Sequence, residues 1–355
     1  RRAARRMARY CEKRELMRVG PSEVAGAAAA ALPLPDEEIA RIAIQWDFTP
    51  KKRSGGEGAQ DGAAMDEETR RAATKILREW EAGKFDEFDA EVEKNASSSS
   101  SFRAGAVLVD ARSRDPEEVY AVSQRRLFLR FAGYDPRAAA RRMANYWDTK
   151  YCLFGREHAF ERLALNDEEC PEMSQGVFYL LPGTDAFGRA IICYKFTKLP
   201  PGSDTAALKR VHQVAWYVLH LAMANKEARR NGVVLLVDMN GFSTRHFTTL
   251  DFIQRMGVLL FQSIPIRIRA THCCMPPESW WFRIALSVAM RAIGREGRSR
   301  VLFHRGSEED VGKALEDSHG VSREGLPSAL GGTLDPSYVE NWASEYAVAA
   351  SDGAS

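Results

Sequence analysis

One uninterrupted apolar run limits the folds that are open to this chain. Residues 233–237 read Val-Val-Leu-Leu-Val. A short run of branched apolar residues is typical of a strand buried on both faces, as found in parallel sheets with helices on each side. Strand patterns alternate with helical patterns around this run. The sequence therefore predicts an α/β fold with a mixed, mainly parallel sheet covered by helices.

The elements around the central strand follow from local patterns. Strands over 177–181 and 189–196, joined by the turn sequence Pro182-Gly183-Thr184-Asp185, predict a hairpin. Further helices are predicted from about Asp204 to Asn231 and over 247–261, 278–293 and 308–317, and further strands over 266–274 and 300–304. Upstream, Asp115-Pro116 and Asp135-Pro136 each combine a capping residue with a proline at the first helical position. These two starts predict a small all-helical module before the sheet.

Composition divides the chain into five regions. We expect residues 1–65, which are basic and of low complexity, to be disordered apart from a solvated basic helix over Arg1–Arg14. Residues 66–110 predict a short helix and a linker, and residues 111–168 the helical module. The α/β domain is expected over 169–340, with a tail over 341–355.

The bulk properties exclude several classes of protein. No apolar run reaches the roughly 18 residues that a membrane-spanning helix needs. The formal net charge of +2 gives no indication of a nucleic-acid partner. Six cysteines without C-x-x-C spacing predict neither a disulfide framework nor a zinc site, so we expect a reducing, cytoplasmic location. They are Cys11, Cys152, Cys170, Cys193, Cys273 and Cys274. The last two, in a strand pattern, are expected to be buried thiols.

Enzyme motifs are missing from the sequence. It contains no G-x-G-x-x-G, G-x-x-x-x-G-K-[ST], G-x-S-x-G or H-E-x-x-H. The pair His272-Cys273 resembles the start of a cysteine-phosphatase loop, but position 279, where that loop needs arginine, is Ser279. The histidines have no metal-ligand spacing, and we expect His212 and His220 to pack or to face water. We therefore predict no catalytic residue, no metal and no cofactor.

The helix predicted over 278–293 is apolar on almost every side. Its polar residues Arg283, Ser287 and Arg291 fall at every fourth position and form one narrow stripe. Such a helix is either ordinary core or a cover that faces a lipid pocket inside and a bilayer outside. The adjacent Trp280 and Trp281 favour the cover, because indole rings suit a membrane interface.

Arginines surround this helix in the sequence. Arg267 and Arg269 are expected on one face of their strand, because strand side chains alternate. Arg291 lies near the end of the predicted helix. Arg295, Arg298 and Arg300 follow it in the sequence. A charge cluster can be simple solvated surface. Its position beside the most apolar helix favours an anionic partner.

Several segments together resemble the CRAL-TRIO family, especially its tocopherol-transfer and retinaldehyde-binding branch. These segments are Ser263–His272 followed by Met275-Pro276, Leu326–Thr333, which is similar to the family's closing L-P-x-x-x-G-G-T, Asn231–Gly241 around the central strand, and Leu127–Phe131 with Tyr134-Asp135. The resemblance spans about residues 115–336. It implies a lipid pocket between the sheet and a mobile lid helix, here 280–293. The phosphatidylinositol-transfer branch carries Glu where this chain has Arg255.

From this resemblance we predict a non-enzymatic protein that holds one hydrophobic lipid and exchanges it between membranes. The expected pocket and lid residues are Phe178, Tyr194, Trp216, Leu236, Phe252, Trp280, Trp281, Ile284 and Val288. The expected phosphoinositide-binding residues are Arg267, Arg269, Arg295 and Arg300. Bound lipid and a phosphoinositide-containing membrane are thus the predicted partners of a peripheral membrane protein. The alternatives are a phosphoinositide-recruited trafficking or signalling adaptor with a vestigial pocket, or an enzyme that uses the pocket as its active site.

Overall fold

The computed structural model describes residues 82–95, 103–160, 170–202, 204–241, 250–275, 290–291, 293–339 and 341–342. The chain divides into two units, Arg1–Glu87 and Phe88–Ser355, and the second contains the helices and strands numbered below. The region 1–65 that was expected to be disordered lies outside the described residues. So does most of the predicted lid helix.

Capping residues set the helices of the N-terminal module. After helical residues 82–95 come α1 (Arg103–Arg114), α2 (Pro116–Val119), α3 (Val122–Phe131) and α4 (Pro136–Phe154). The Asp115 carboxylate accepts a hydrogen bond from the Glu118 amide at 2.8 Å, and Asp135 accepts one from the Ala138 amide at 3.1 Å. Each cap satisfies an amide that the helix start leaves unpaired. Both predicted helix starts are confirmed.

The module begins earlier than the sequence predicted. The boundary expected at residue 111 falls inside α1, whose buried residues Ala104, Leu108 and Ala111 recur at helical spacing. This stripe packs α1 against α4. The linker prediction for 66–110 missed it because two of the three residues are alanine, which adds little to an apolar pattern.

The domain is built on a five-stranded mixed sheet. Its strands are β1 (Phe178–Thr184), β2 (Ala190–Lys195), β3 (Val233–Asp238), β4 (Ile268–Met275) and β5 (Val301–Arg305), in the spatial order β1-β2-β3-β4-β5. The first two pair antiparallel and all other neighbours pair parallel. Every residue of β3 is buried, as the apolar run predicted. The α/β fold class is therefore confirmed.

Helices connect and cover the strands. They are α5 (Pro171–Ser174), α6 (Thr205–Ala224), α7 (Lys226–Asn231), α8 (Leu250–Val258), α9 (Gly294–Arg298) and α10 (Glu308–His319), and a π-helical turn Leu259–Ser263 follows α8. Among the described residues, no helix is both long enough and apolar enough to cross a bilayer.

Two local predictions need correction. Strand β1 runs through Pro182-Gly183 to Thr184, with a register shift, so the hairpin turn comes later than predicted. The single helix expected up to Asn231 is two helices, because Asn225 ends α6 and its side chain accepts hydrogen bonds from the amides of Glu227 and Ala228. An asparagine in this role starts a new helix and so breaks the old one.

The segment expected to be a tail is part of the core. Trp342 is buried, and its ring lies 6.5 Å from that of Tyr179 on β1. Just upstream, the Tyr338 hydroxyl donates a 2.9 Å hydrogen bond to the Leu180 carbonyl. The folded unit thus extends at least two residues past the predicted boundary at 340.

Candidate functional site

The strand register divides the sheet's side chains into two sets. We call one set the Tyr194 face: Phe178, Tyr194, Leu235, Val237, Thr271 and Cys273. The opposite set is the His272 face: Tyr179, Cys193, Leu236, His272, Cys274 and His304. Paired residues share a face and successive residues alternate, so these assignments follow from the register alone.

The Tyr194 face is apolar and aromatic, yet it carries two buried hydroxyl groups. The rings of Phe178 and Tyr194 stack with centroids 4.2 Å apart and planes 4° from parallel. The Tyr194 Oη and Thr271 Oγ1 have no hydrogen-bond partner within the described parts of the chain. Burial raises the pKa of Tyr194 well above its ordinary value, so the phenol stays protonated. Buried polar atoms are rarely left unpaired in proteins, so these two are candidates for contact with a ligand or with water.

The predicted pocket residues do not all share this face. Phe178 and Tyr194 do, but Leu236 points to the His272 face, because it pairs with Cys193 and not with Tyr194. The apolar run that predicted β3 has no alternation, so the sequence could not assign its residues to faces.

Two other predicted pocket residues lie in helices. The Trp216 ring, fully buried, is 4.7 Å from the Tyr146 ring and 4.9 Å from that of His220, in the packing of α6 against α4. Phe252 is buried on α8, 4.5 Å from the ring of His212. Trp280, Trp281, Ile284 and Val288 lie outside the described residues.

Three of the predicted arginines lie together where β4 and β5 begin, and we call Arg267, Arg269 and Arg300 the arginine rim. Each donates to a backbone carbonyl: Arg267 to Phe131 at 3.1 Å, Arg269 to Asn231 at 2.8 Å and Arg300 to Ile268 at 2.6 Å. Desolvation lowers the pKa of Arg267 and Arg269, and the nearby like charges lower it further. Arg295 is exposed on α9.

The backbone beside the rim is built for close approach. At Gly232, φ is +91°, and a Cβ atom there would lie 2.4 Å from the Arg267 carbonyl oxygen and 2.8 Å from Arg269 Cγ. Only glycine fits such a position. The ladder between β3 and β4 shifts register at this point, so Arg269 is an extra residue on β4. The simple alternation expected of Arg267 and Arg269 is thus interrupted, although their charges remain close enough to interact.

Other residues considered as reactive groups are structural. Both thiols of Cys273 and Cys274 are buried as predicted, and burial raises the pKa of Cys273 to about 12, which makes it a poor nucleophile. His212 packs in the core with both ring nitrogens against backbone carbonyls, those of Leu208 and Phe252. The Asp238 carboxylate accepts a hydrogen bond from the Asn240 amide at 3.0 Å in the turn after β3.

The structure also assembles a cluster that sequence spacing did not indicate. His272, His304 and His319 come from β4, β5 and α10, and one ring nitrogen of each lies within 4.8 Å of the others. Separations of 32 and 15 residues along the chain match no metal-binding motif. Only the pairing of β4 with β5 and the length of α10 bring the three rings together.

Comparison with known proteins finds relatives of part of this chain. Residues 174–332 match the model of the CRAL/TRIO domain. Tyrosine-protein phosphatase non-receptor type 9 of Rattus norvegicus is 28% identical over 176 residues, which cover 45% of this chain and 28% of that protein. The same protein of Homo sapiens is 28% identical over 174 residues, covering 44% and 28% respectively. The matched region thus spans little more than a quarter of the length of these relatives. The phosphatase activity that their name states is a property of those proteins.

Among solved structures, a crystal structure of Sfh5 is similar, with 12% identity, a TM-score of 0.40 and coverage of 56% of this chain and 71% of that one. The domain model covers the sheet from β1 to β5 and continues to Gly332, the second glycine of the Leu-Pro-x-x-x-Gly-Gly-Thr segment. Residues 174–332 thus match the CRAL/TRIO domain, the family that the sequence segments resemble.

Proposed function

We propose that this chain holds one hydrophobic lipid against the Tyr194 face and exchanges it between membranes, to which it docks through the arginine rim. The observation that carries the lipid assignment is the pair of unpartnered hydroxyls, Tyr194 Oη and Thr271 Oγ1, on an otherwise apolar, aromatic face. Lipid pockets need this composition: much apolar surface with a few polar groups that orient the ligand.

The energetics suit a carrier better than a permanent store. Burying on the order of 400 Å² of apolar lipid surface releases roughly 10 kcal/mol relative to water, at about 25 cal/mol/Å². A bilayer offers the lipid a similar gain, so transfer between protein and membrane is nearly balanced. The protein then controls the rate of exchange, through a cover that opens at the membrane.

The predicted lid over 280–293, most of which lies outside the described residues, is proposed as that cover, and its last residue, Ile293, packs close to α8. A Cβ atom on Gly257 of α8 would lie 3.3 Å from the Ile293 Cα, so the backbone of Ile293 passes close against that helix. A Cβ on Gly297 would lie 2.9 Å from the Phe261 ring and 3.4 Å from the Ile293 Cβ. We expect the lid to move about this end, with Trp280, Trp281, Ile284 and Val288 in the moving part.

Docking is assigned to the arginine rim for electrostatic reasons. Arg300 is near enough to lower the pKa of Arg267, and both lower the pKa of Arg269, so an anion placed between the three groups would relieve repulsion. A guanidinium has five N–H donors in a planar fork and can donate two hydrogen bonds to one phosphate. A phosphoinositide headgroup, with several phosphates, fits three clustered arginines. Arg295, exposed on α9, is proposed as a fourth, more distant contact.

Lipid content is the first test. We expect native mass spectrometry of the purified full chain to show one lipid per molecule, and extraction to identify it. A chain that carries no lipid, and takes up none from vesicles, would overturn the carrier proposal. If that chain still bound phosphoinositide vesicles, it would be the adaptor with a vestigial pocket.

Vesicle co-sedimentation tests the docking site. Arg267→Ala, Arg269→Ala and Arg300→Ala together should reduce binding to phosphoinositide vesicles about a hundredfold, at about 1 kcal/mol per basic residue. A matched control removes three exposed positive charges elsewhere, with Lys198, Lys209 and Lys313 changed to Ala. The control should bind almost normally, and lysine at the three rim positions should restore part of the binding. Equal loss in rim and control variants would reduce the rim to general surface charge.

A further inference from the structure

We propose that His272, His304 and His319 form a binding site for a divalent transition-metal ion, for which Zn²⁺ is the best fit, and that the ion fastens the outer strands of the sheet to α10. This inference is independent of lipid binding, because the cluster lies on the His272 face. Its three residues belong to three different elements: His272 to β4, His304 to β5, and His319 to the last position of α10.

The geometry of the cluster is close to that of a metal site. The His272 Nδ1 lies 2.8 Å from the His304 Nε2, and the His319 ring lies 4.4 Å from that of His272 and 5.2 Å from that of His304, measured between centroids. A tetrahedral zinc ion with Zn–N distances of about 2.0–2.1 Å requires ligand nitrogens about 3.3 Å apart. The nitrogens here lie within 4.8 Å of one another, so small side-chain rotations would complete the site.

One ion could satisfy the ring nitrogens that face one another within the cluster. His272 is fully buried and its Nδ1 faces the His304 Nε2, so Nδ1 is the nitrogen available to an ion. Its Nε2, which has no partner in the part of the chain that the structure describes, would carry the ring proton. Two neutral imidazoles can share one proton between facing nitrogens, but the third ring then adds a lone pair with no donor assigned to it. A cation accepts lone pairs from all three rings at once.

One nearby cation argues against a metal ion, and the structure compensates for it. Arg189 lies close enough to lower the pKa of His272 and His319. Its Nε donates to the buried Asp185 carboxylate at 2.5 Å, which neutralises the guanidinium. The same turn is held to the end of α10, because the Ala186 amide donates to the Gly320 carbonyl at 2.8 Å.

The ligand set favours a particular class of ion. Imidazole nitrogens without carboxylates suit Zn²⁺, Cu²⁺ or Ni²⁺, whereas Mg²⁺ and Ca²⁺ prefer oxygen. Zinc accepts three histidines and leaves its fourth position to water. His304 and His319 are only half-buried, so water can reach that fourth position.

The ion would strengthen the β5 edge of the sheet. Strand β5 is last in the strand order, and its Leu302 and Phe303 are 41% and 38% exposed, so packing contributes little to holding it. A metal that joins β4, β5 and α10 supplies the missing constraint. Metal binding to the folded state alone stabilises a protein by mass action.

Zinc titration of tag-free, metal-stripped full chain is the test. We expect one Zn²⁺ per chain and a rise in the melting temperature. His304→Gln and His319→Gln should each weaken zinc binding by at least about a hundredfold, since loss of an outer-shell partner alone costs 10–100-fold. His158→Gln, at an exposed histidine outside the cluster, is the matched control and should bind zinc normally. The His304→Gln and His319→Gln variants should keep the wild-type circular dichroism spectrum, because both side chains are only half-buried. This control separates ligand loss from misfolding.

Cobalt reports the ligand type. Co²⁺ in the site should give the visible absorption of a tetrahedral nitrogen-ligated ion, without the thiolate charge-transfer band that binding at the exposed Cys152 would produce. A thiolate band that disappears with Cys152→Ser, or zinc binding that survives both His304→Gln and His319→Gln, would overturn the proposal. Absence of saturable binding at micromolar zinc would overturn it as well.

Discussion

The two faces of one sheet deal with buried polar atoms in different ways. On the Tyr194 face, two hydroxyls stand apart in apolar surroundings, each on its own strand. On the His272 face, three imidazoles converge within contact distance of one another. Isolated donors suit an occasional contact with a ligand that comes and goes, whereas converging lone pairs suit an ion that stays. The same sheet can thus support an exchangeable lipid on one side and a fixed structural element on the other.

The largest predicted effect on stability concerns the His272 face. Leu236→Ala should lower the free energy of unfolding by about 2–5 kcal/mol, since it leaves a cavity in a fully buried position. The loss, measured by urea denaturation, should be equal in lipid-loaded and lipid-free protein, because Leu236 faces away from Tyr194. A loss that depends on lipid would mean that the pocket reaches the His272 face.

A somewhat smaller loss of stability is expected at Gly232, beside the arginine rim. Gly232→Ala should cost about 2–3 kcal/mol, because it combines backbone strain at φ +91° with the close contact to the Arg267 carbonyl. Gly133→Ala is the matched control: φ is +65° there, but nothing lies within 4 Å of the added atom. It should cost only about 1 kcal/mol. Equal costs at both glycines, in the same denaturation assay, would show that the close approach beside the rim is unimportant.

The smallest effect is the most informative about the lipid side. Tyr194→Phe should stabilise lipid-free protein by about 1 kcal/mol, because it removes a buried hydroxyl without a partner. Retention of bound lipid should fall about fivefold if that hydroxyl orients the ligand. Ser263→Ala offers the contrast, since the Ser263 hydroxyl is fully bonded, to Thr149 Oγ1 at 2.7 Å and the Val258 carbonyl at 3.2 Å. Ser263→Ala should destabilise the protein by about 1 kcal/mol and leave lipid retention unchanged. Destabilisation by Tyr194→Phe would show that the hydroxyl is satisfied after all.

What the sequence predicted depends on the distance over which each feature is determined. Asp115 and Asp135 cap helices within three residues, and the succession of strands along the chain follows from successive apolar runs, so both were predictable. The face to which Leu236 belongs depends on its pairing with another strand, which a continuous apolar run does not encode.

The functional clusters depend on contacts between residues that lie still farther apart in the sequence. The arginine rim was predictable in part, because Arg267 and Arg269 lie two residues apart where β4 begins, but the register shift at Arg269 depends on pairing with β3. The histidine cluster draws one ligand from each of three elements, and only tertiary packing brings them together. Trp342 shows the same limit: its burial against Tyr179 joins residues 163 positions apart.

The exposed outer strand has a consequence for how the protein behaves at high concentration. Among the described residues, β5 pairs only with β4, and a strand with one unpaired edge offers its backbone to a neighbouring molecule. The exposed side chains of Leu302 and Phe303 would favour such self-association. Positive charges stand at both ends of β5, Arg300 before it and Arg305 as its last residue. Charges in these positions oppose the stacking of like strands. The arginine at the start of β5 would then serve colloidal stability as well as membrane docking, and its removal would leave the purified protein more prone to aggregate.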